Sequence, residues 1–137
     1  MADCLFCSIV SGEAPSHTVY ADDRTVVFMD IFPLSKGHCL VVPRNHCRDL
    51  VEASAEDVAA CARVAQRVTA AAFQGLSADG VNVIQSNGAV AFQTVFHLHF
   101  HVLPRYQGDG FQFPVSRHRA TPEELDEGAA ALRGALI

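Results

Sequence analysis

The sequence predicts an α+β fold, because β-type segments and amphipathic helical segments both occur along its 137 residues. The most informative β-type segment is HLHFHVLP at residues 97–104, where histidine alternates with large apolar residues as in a strand. The longest helical segment begins at Ser54, an N-cap residue with Asp57 at the third position, and continues to about Phe73. Turns separate several shorter segments, which favours antiparallel strands combined with helices.

The remaining elements are predicted in chain order from turn residues and local composition. A short helix spans 4–10 and ends at Ser11-Gly12, and strands span 18–21, 25–31, 38–43 and 81–86. A C-terminal helix begins at Thr121-Pro122, where a capping box is combined with proline at the first helical position. The length of the chain predicts a single domain over residues 1–137.

Composition excludes several classes of function. The formal net charge is −5 with neutral histidine and no lysine or arginine run is present, so binding to a nucleic-acid polymer is not expected. A single nucleotide remains possible, since a few local donors can bind one phosphate group. No apolar run approaches the roughly 20 residues of a membrane span, and the N-terminus does not resemble a signal peptide. Five cysteines, an odd number, predict a reducing, cytoplasmic location without a disulfide framework.

The three alternating histidines indicate a site, because on a strand they would lie on one face about 7 Å apart. Such a row suits a metal or an anion such as phosphate, and the alternative is a solvated polar face without chemistry. Neutral imidazole is a good nucleophile toward phosphorus, provided that its second nitrogen donates a proton to a fixed acceptor. The middle residue, His99, is the natural nucleophile, with His97 and His101 as its neighbours.

Other residues could complete this site. His38 opens a predicted strand that could bring it beside the three histidines, or it is structural. Asp30 ends an apolar strand and is either a ligand for ribose hydroxyls or a turn aspartate. Gln93 and Thr94 precede the histidine segment and could donate to a phosphate oxygen. The apolar residues that are either core or walls of a base pocket are Phe6, Ile9, Phe28 and Ile31.

The pair Cys4-x-x-Cys7 is a second candidate site. Two thiolates at this spacing can chelate zinc, which prefers four cysteine or histidine ligands in structural sites. The alternative is two small apolar residues on a helix, and the spacing alone does not decide between them. The missing ligands would come from elsewhere in the chain, and His46 and His97 are the candidates.

Together these residues resemble the histidine-triad (HIT) family of nucleotide hydrolases and transferases. The most specific part is the histidine run with Gln93 four residues upstream, while Asp30 and Gly37-His38 follow the order of the family. The Cys4–Cys7 pair resembles the bacterial, Hint-like branch with a structural zinc, although the tail contains no tryptophan, unlike some Hint proteins. The resemblance implies a HIT domain with a core of about 4–106 and a C-terminal extension of about 107–137.

The resemblance also implies roles for the matching residues. His99 would form a nucleotidyl-histidine at the α-phosphate, with His101 at the phosphate and His38 and His97 in the supporting cluster. Binding residues would be Asp30 for the ribose, Phe28 and Ile31 for the base, and Asn87, Gln93 and Thr94 for the phosphate and leaving group. In zinc-bearing relatives the ligands correspond to Cys4, Cys7, His46 and His97. Phe92 replaces a common family glycine, which would reshape the phosphate loop or fill part of the leaving-group pocket.

The implied fold has a five-stranded antiparallel sheet, one main helix, a short N-terminal helix and a C-terminal helix, usually in a homodimer with a continuous ten-stranded sheet. The expected activity is hydrolysis or transfer at the α-phosphorus of a purine mononucleotide derivative, either a phosphoramidate or a dinucleoside polyphosphate. No organic cofactor is expected beside a structural zinc. Two alternatives stay open: a zinc-hydroxide hydrolase that uses the strand histidines, and a nucleotide- or protein-binding module with little turnover.

Overall fold

The computed structural model describes residues 3–113 and 115–136 and confirms the predicted α+β fold. The helices are α1 (Leu5–Ser11), α2 (Ala55–Gly75) and α3 (Pro122–Ala135), with a 3-10 turn at Ala89–Ala91. The strands are β1 (Thr18–Ala21), β2 (Thr25–Met29), β3 (Cys39–Pro43), β4 (Gly80–Gln85) and β5 (Phe100–Arg105). They pair antiparallel in one sheet of order β1-β2-β3-β5-β4.

The central strands are buried on both faces of the sheet. Successive side chains of a strand point to opposite faces, so Leu40 and Val41 of β3 enter two different apolar clusters. Val41 packs with Val64 of α2 on one face, and Leu40 packs with Phe6 of α1 on the other. This double cover explains why β2 and β3 are nearly continuous apolar runs, and it puts α1 on the face where the histidines lie.

The histidine segment differs from the predicted strand. β5 begins only at Phe100, so His101 lies in the strand while His97 and His99 lie in the chain leading into it. The prediction of one strand over 97–104 was wrong for its first residues, because the N–H of Leu98 donates to the Cys47 carbonyl in a loop, at 2.8 Å. His97 is 0% and His99 5% exposed, which excludes a solvated histidine face.

The helix starts predicted from capping residues are confirmed. The Ser54 side chain accepts the backbone N–H of Asp57 at the start of α2. Thr121 and Glu124 form the reciprocal capping box of α3. Among the described residues, α3 has no buried member, and no helix is long and apolar enough to cross a membrane.

Candidate functional site

His99 is held as a neutral imidazole with one free nitrogen. Its Nδ1–H donates to the carbonyl oxygen of His97 at 2.8 Å, so the lone pair lies on Nε2. Burial lowers the pKa of His99 below its usual value, although this hydrogen bond and the charge of Asp30 act in the opposite direction. The ring of Phe6 packs edge-on against the His99 ring, with centroids 5.1 Å apart. His99 therefore presents a fixed lone pair.

His101 is oriented by a chain of hydrogen bonds that begins at the backbone. The N–H of Leu34 donates to Nδ1 of His38 at 3.1 Å, so a neutral His38 carries its proton on Nε2. That proton is donated to Nδ1 of His101 at 2.9 Å, which places the proton of His101 on its own Nε2. Burial and the neighbouring histidines lower the pKa of His101 to about 4, so the ring is neutral at pH 7 and presents an N–H donor.

Asp30 brings negative charge to this cluster. It follows β2, which ends at Met29 and not at residue 31 as predicted, while His38 lies just before β3. One carboxylate oxygen of Asp30 lies 3.6 Å from Nε2 of His38, and the other accepts the backbone N–H of Phe32. Burial lowers the pKa of His38, and the charge of Asp30 partly opposes this shift. The Asp30 carboxylate therefore stabilises any positive charge that develops on His38 or His99.

His99 and His101 have opposite hydrogen-bonding polarity. Nε2 of His99 offers a lone pair and Nε2 of His101 offers a proton, on rings whose centroids are 4.9 Å apart. A lone pair beside a donor suits attack on phosphorus, because the donor stabilises the charge that develops on a phosphoryl oxygen. The structure thus brings together four of the residues predicted for the site: Asp30, His38, His99 and His101.

Gln93 holds the loop that precedes the histidines. Its buried amide group donates to the carbonyl oxygens of Arg48 and Val95 at 2.7 and 3.1 Å, and its Oε1 accepts the N–H of Gly88 at 2.8 Å. Both amide protons are therefore used within the protein. In this structure Gln93 has no amide proton left for a phosphate oxygen, and its three hydrogen bonds hold the loop in place.

Asn87 and Phe92 lie in the same loop. Asn87 accepts the backbone N–H of Leu50 at 2.8 Å and exchanges side-chain hydrogen bonds with Gln85, which ties the loop to the segment before α2. Phe92 adopts a left-handed conformation with φ of 71°, and its side chain is exposed. A phenylalanine in this region costs about 1–2 kcal/mol relative to glycine. The loop thus keeps a glycine-type conformation at Phe92 despite the substitution.

The other predicted binding residues differ in exposure. Phe28 is buried against Phe6, with ring centroids 5.3 Å apart, whereas Ile31 is largely exposed. Thr94 is exposed and lines a cavity of about 410 Å³ that Cys4 also lines. Ile31 therefore presents an exposed apolar surface, while Phe28 packs in the core.

Four thiol and imidazole side chains form a second cluster, with donor atoms within 4.8 Å of one another: Cys4, Cys7, His46 and His97. Nδ1 of His97 lies 3.5 Å from both sulfurs, and Nδ1 of His46 lies 3.3 Å from the Cys7 sulfur. A tetrahedral zinc ion with typical bond lengths separates its sulfur and nitrogen ligands by about 3.5 Å. The donor set and its spacing therefore fit a structural zinc ion.

His97 connects the two clusters. Its Nε2–H donates to the carbonyl oxygen of Pro43 at 2.8 Å, which directs Nδ1 toward the sulfurs. Its own carbonyl oxygen accepts the proton that orients His99. The three alternating histidines are thus divided between His97, which points at the two sulfurs, and the adjacent pair of His99 and His101.

The sequence motif did not indicate two groups that contact the histidines in the structure. The N–H of Leu34 is a backbone group in a turn, and no side-chain pattern marks it. Phe6 was predicted only as a core or base-pocket residue, yet its ring contacts both His97 and His99, with centroids 6.0 and 5.1 Å away. Its position between Cys4 and Cys7 was an available signal, because both cysteines were candidate partners of His97 and a residue between them would then lie close to His97.

Comparison with known proteins identifies the family that this fold and site define. The profile of the HIT domain matches residues 11–108, and the chain belongs to the HIT family. The chain is 36% identical to the SMU.412c protein of Streptococcus mutans, with a TM-score of 0.94 over 100% of this chain and 87% of that structure.

Two further relatives bear on the site. A Zn-bound histidine triad family protein from Mycobacterium smegmatis is 43% identical, with a TM-score of 0.78 over 98% of each chain. The Arabidopsis thaliana protein named adenylylsulfatase HINT3 is 37% identical over 130 residues, which are 95% of this chain and 66% of that protein.

Proposed function

We propose that the protein is a nucleotide hydrolase or transferase that acts at the α-phosphorus of a purine mononucleotide derivative. The opposite polarity of the neighbouring His99 and His101 rings carries this proposal. Membership of the HIT family and similarity to a protein named adenylylsulfatase support a nucleotide substrate. Phosphoramidates and dinucleoside polyphosphates are the proposed substrate classes, because both carry a leaving group on the α-phosphorus.

In the proposed reaction, Nε2 of His99 attacks the α-phosphorus and the bond from phosphorus to the leaving group breaks. The leaving group keeps the electron pair of that bond and takes up a proton from solvent. The His99 ring then carries positive charge, which the His97 carbonyl oxygen and the Asp30 carboxylate stabilise. The N–H of His101 donates to a phosphoryl oxygen and offsets the charge that develops there. Water next attacks the nucleotidyl-histidine and loses a proton to solvent. The phosphorus–nitrogen bond breaks, and its electron pair returns to Nε2, which regenerates neutral His99.

The substrate-binding roles are proposed on the same geometry. Asp30 would accept hydrogen bonds from the ribose hydroxyls with its partly exposed carboxylate, and Ile31 would cover a face of the base. Phe28 would support that surface from the core, and Gln93 would shape the phosphate loop. The phosphate and leaving group would be contacted from that loop by Asn87 and Thr94.

A covalent adduct tests the proposed function. We expect intact-mass spectra of protein mixed with adenosine 5′-phosphoramidate and quenched within milliseconds in alkaline denaturant to show one added adenylyl group, located on His99 by peptide mapping. The alkaline quench is needed because a phosphorus–nitrogen bond to imidazole breaks in acid. Adenosine, which has no phosphate, serves as the control and should leave the mass unchanged. Product formation without an adduct, or an adduct on another residue, would contradict the mechanism.

A zinc-hydroxide hydrolase is the second candidate, because Asp30, His38 and His101 place donor atoms within 4.8 Å of one another. Against it, Nε2 of His38 and Nδ1 of His101 are hydrogen-bonded to each other at 2.9 Å and are satisfied without a metal. Such an enzyme would lose all activity in a folded, metal-free state and would form no histidine adduct. A binding module would yield neither adduct nor product.

We propose that Cys4, Cys7, His46 and His97 hold a structural zinc ion. Four protein ligands leave no position for a reactive water, so the ion would tie α1 to the chain before β5. The Zn-bound relative from Mycobacterium smegmatis supports this assignment. Burial and the neighbouring Cys4 raise the pKa of the Cys7 thiol in the metal-free chain, so zinc would bind with release of a proton.

The free cysteines also support a reducing, cytoplasmic location.

We also propose a homodimer formed through β4. This strand is the outer strand beside β5, and among the described residues no strand pairs with its other side. The adjoining face of α2 and β4 forms an apolar groove lined by Ala62, Thr69, Val83 and Phe100. The buried hydroxyl of Thr69 has no hydrogen-bond partner among the described residues. A second copy paired along β4 would extend the sheet to ten strands and cover this groove.

The substitution Val83→Asp should convert the dimer to a monomer. Val83 is 48% exposed on β4, and pairing of this strand with its two-fold-related copy would bring two like charges into an apolar interface. Light scattering coupled to size-exclusion chromatography measures the change in mass. The matched control is Val19→Asp on β1, the opposite edge strand, where the side chain is 53% exposed. Equal dissociation by both variants, or by neither, would contradict an interface at β4.

A further inference from the structure

The turn at residues 33–37 determines which nitrogen of His38 carries the proton. Leu34 N–H points at Nδ1 of His38, so the tautomer with a proton on Nδ1 would bring two donors together. If His38 changed tautomer, its hydrogen bond with His101 would reverse direction. His101 would then carry its proton on Nδ1 and present a lone pair to the substrate. The site would face phosphoryl oxygens with two acceptors and no donor.

Contacts from elsewhere in the chain hold this turn in place. The hydroxyl of Tyr106 donates to the carbonyl oxygen of Lys36 at 2.8 Å, and the hydroxyl of Ser35 donates to the carbonyl oxygen of Pro104. Gly37 adopts φ of 88° and lies so close to Leu76, the residue after α2, that an added Cβ would be 2.2 Å from a methyl group of Leu76. The turn before His38 is therefore held by hydrogen bonds at Ser35 and Lys36 and by close packing at Gly37.

Strand β5 carries the last histidine of the hydrogen-bond chain and also contacts the turn in which the chain begins. His101 lies in β5, Pro104 lies in the same strand, and Tyr106 directly follows its end at Arg105. One rigid element thus holds the last histidine of the chain and also the turn whose backbone sets its proton. We propose that Ser35 and Tyr106 are positioning residues that keep Leu34 N–H on His38 and thereby keep His101 a donor. This inference rests on the proposed function only for its effect on turnover.

The double variant Tyr106→Phe, Ser35→Ala removes both side-chain hydrogen bonds to the turn. In nucleotide-free protein, long-range ¹H–¹⁵N spectra should show His38 and His101 protonated on Nε2 in the wild type and partly on Nδ1 in the variant. With adenosine 5′-phosphoramidate, kcat should fall about fivefold, the effect of one lost hydrogen bond, with KM little changed. The matched control is Tyr20→Phe on β1, which removes a hydroxyl that donates to Asp22 at 2.9 Å.

A backbone ester in place of the amide at Leu34 removes the donor itself. It should shift both histidines toward the Nδ1 tautomer and lower kcat at least as far as the double variant. The control is the same replacement at Leu136, whose N–H donates to the Leu132 carbonyl at the end of α3, at 2.9 Å. Wild-type tautomers in either the double variant or the ester, or equal shifts in the controls, would overturn the proposal. Because the spectra need no nucleotide, a wild-type protein without turnover would contradict only the proposed function.

Discussion

The His99→Asn variant should bind nucleotide and fail to turn it over. Asparagine keeps an N–H near the position of Nδ1, where it can still donate to the His97 carbonyl oxygen, but it lacks the Nε2 lone pair. Loss of a catalytic nucleophile lowers turnover by about 10⁴-fold or more. Single-turnover kinetics with adenosine 5′-phosphoramidate measure this loss, and calorimetry with AMP measures the binding that should be retained.

The matched control for this variant is His17→Asn. His17 is an exposed histidine just before β1, so the same chemical change should leave turnover and AMP binding at wild-type values. Thermal unfolding of both variants confirms that each one is folded when it is assayed. Turnover by His99→Asn at the wild-type rate would exclude the nucleotidyl-histidine and would favour a water nucleophile activated by other groups.

Local sequence patterns predict those helices and strands whose structure depends on residues a few positions away in the chain. The helix starts at Ser54 and Thr121 were predicted because a capping side chain acts on a backbone N–H only a few residues away. The same holds for β3, where an apolar run ends at Pro43. Even the division of the histidines into a nucleophile and its neighbours could be proposed, because imidazole needs a fixed tautomer.

Features that depend on distant parts of the chain could not be predicted in this way. Alternation at residues 97–101 indicated one strand, but the loop carbonyl of Cys47 takes the hydrogen bond that a strand partner would need. The donor role of His101 depends on Leu34 N–H, which only the folded turn brings to His38. Gln93 was expected to donate to phosphate, but the fold places carbonyl oxygens of Arg48 and Val95 beside its amide.

The substitution Cys7→Ala should remove the structural zinc and destabilise the protein. The wild type should contain one zinc ion per chain by elemental analysis, and the variant should contain almost none. A bound metal at a free concentration of a thousand times its Kd stabilises the folded state by about 4 kcal/mol. Denaturant unfolding should therefore show a loss of this size when a chelator is added to the wild type, and little further loss in Cys7→Ala.

Cys61→Ala is the control that separates metal loss from lost packing. Cys61 of α2 is fully buried in the apolar cluster that contains Val41 and Val64, and it is not one of the four candidate ligands. This variant should therefore keep its zinc and its response to chelator. Zinc removal should also lower turnover only modestly while the protein stays folded. It would loosen His97, whose carbonyl oxygen orients His99, but it would remove no atom that reacts. Complete and zinc-reversible loss of activity in folded, chelated protein would instead indicate a metal-bound nucleophile. Equal destabilisation of wild type and Cys7→Ala by chelator would refute the assigned ligands.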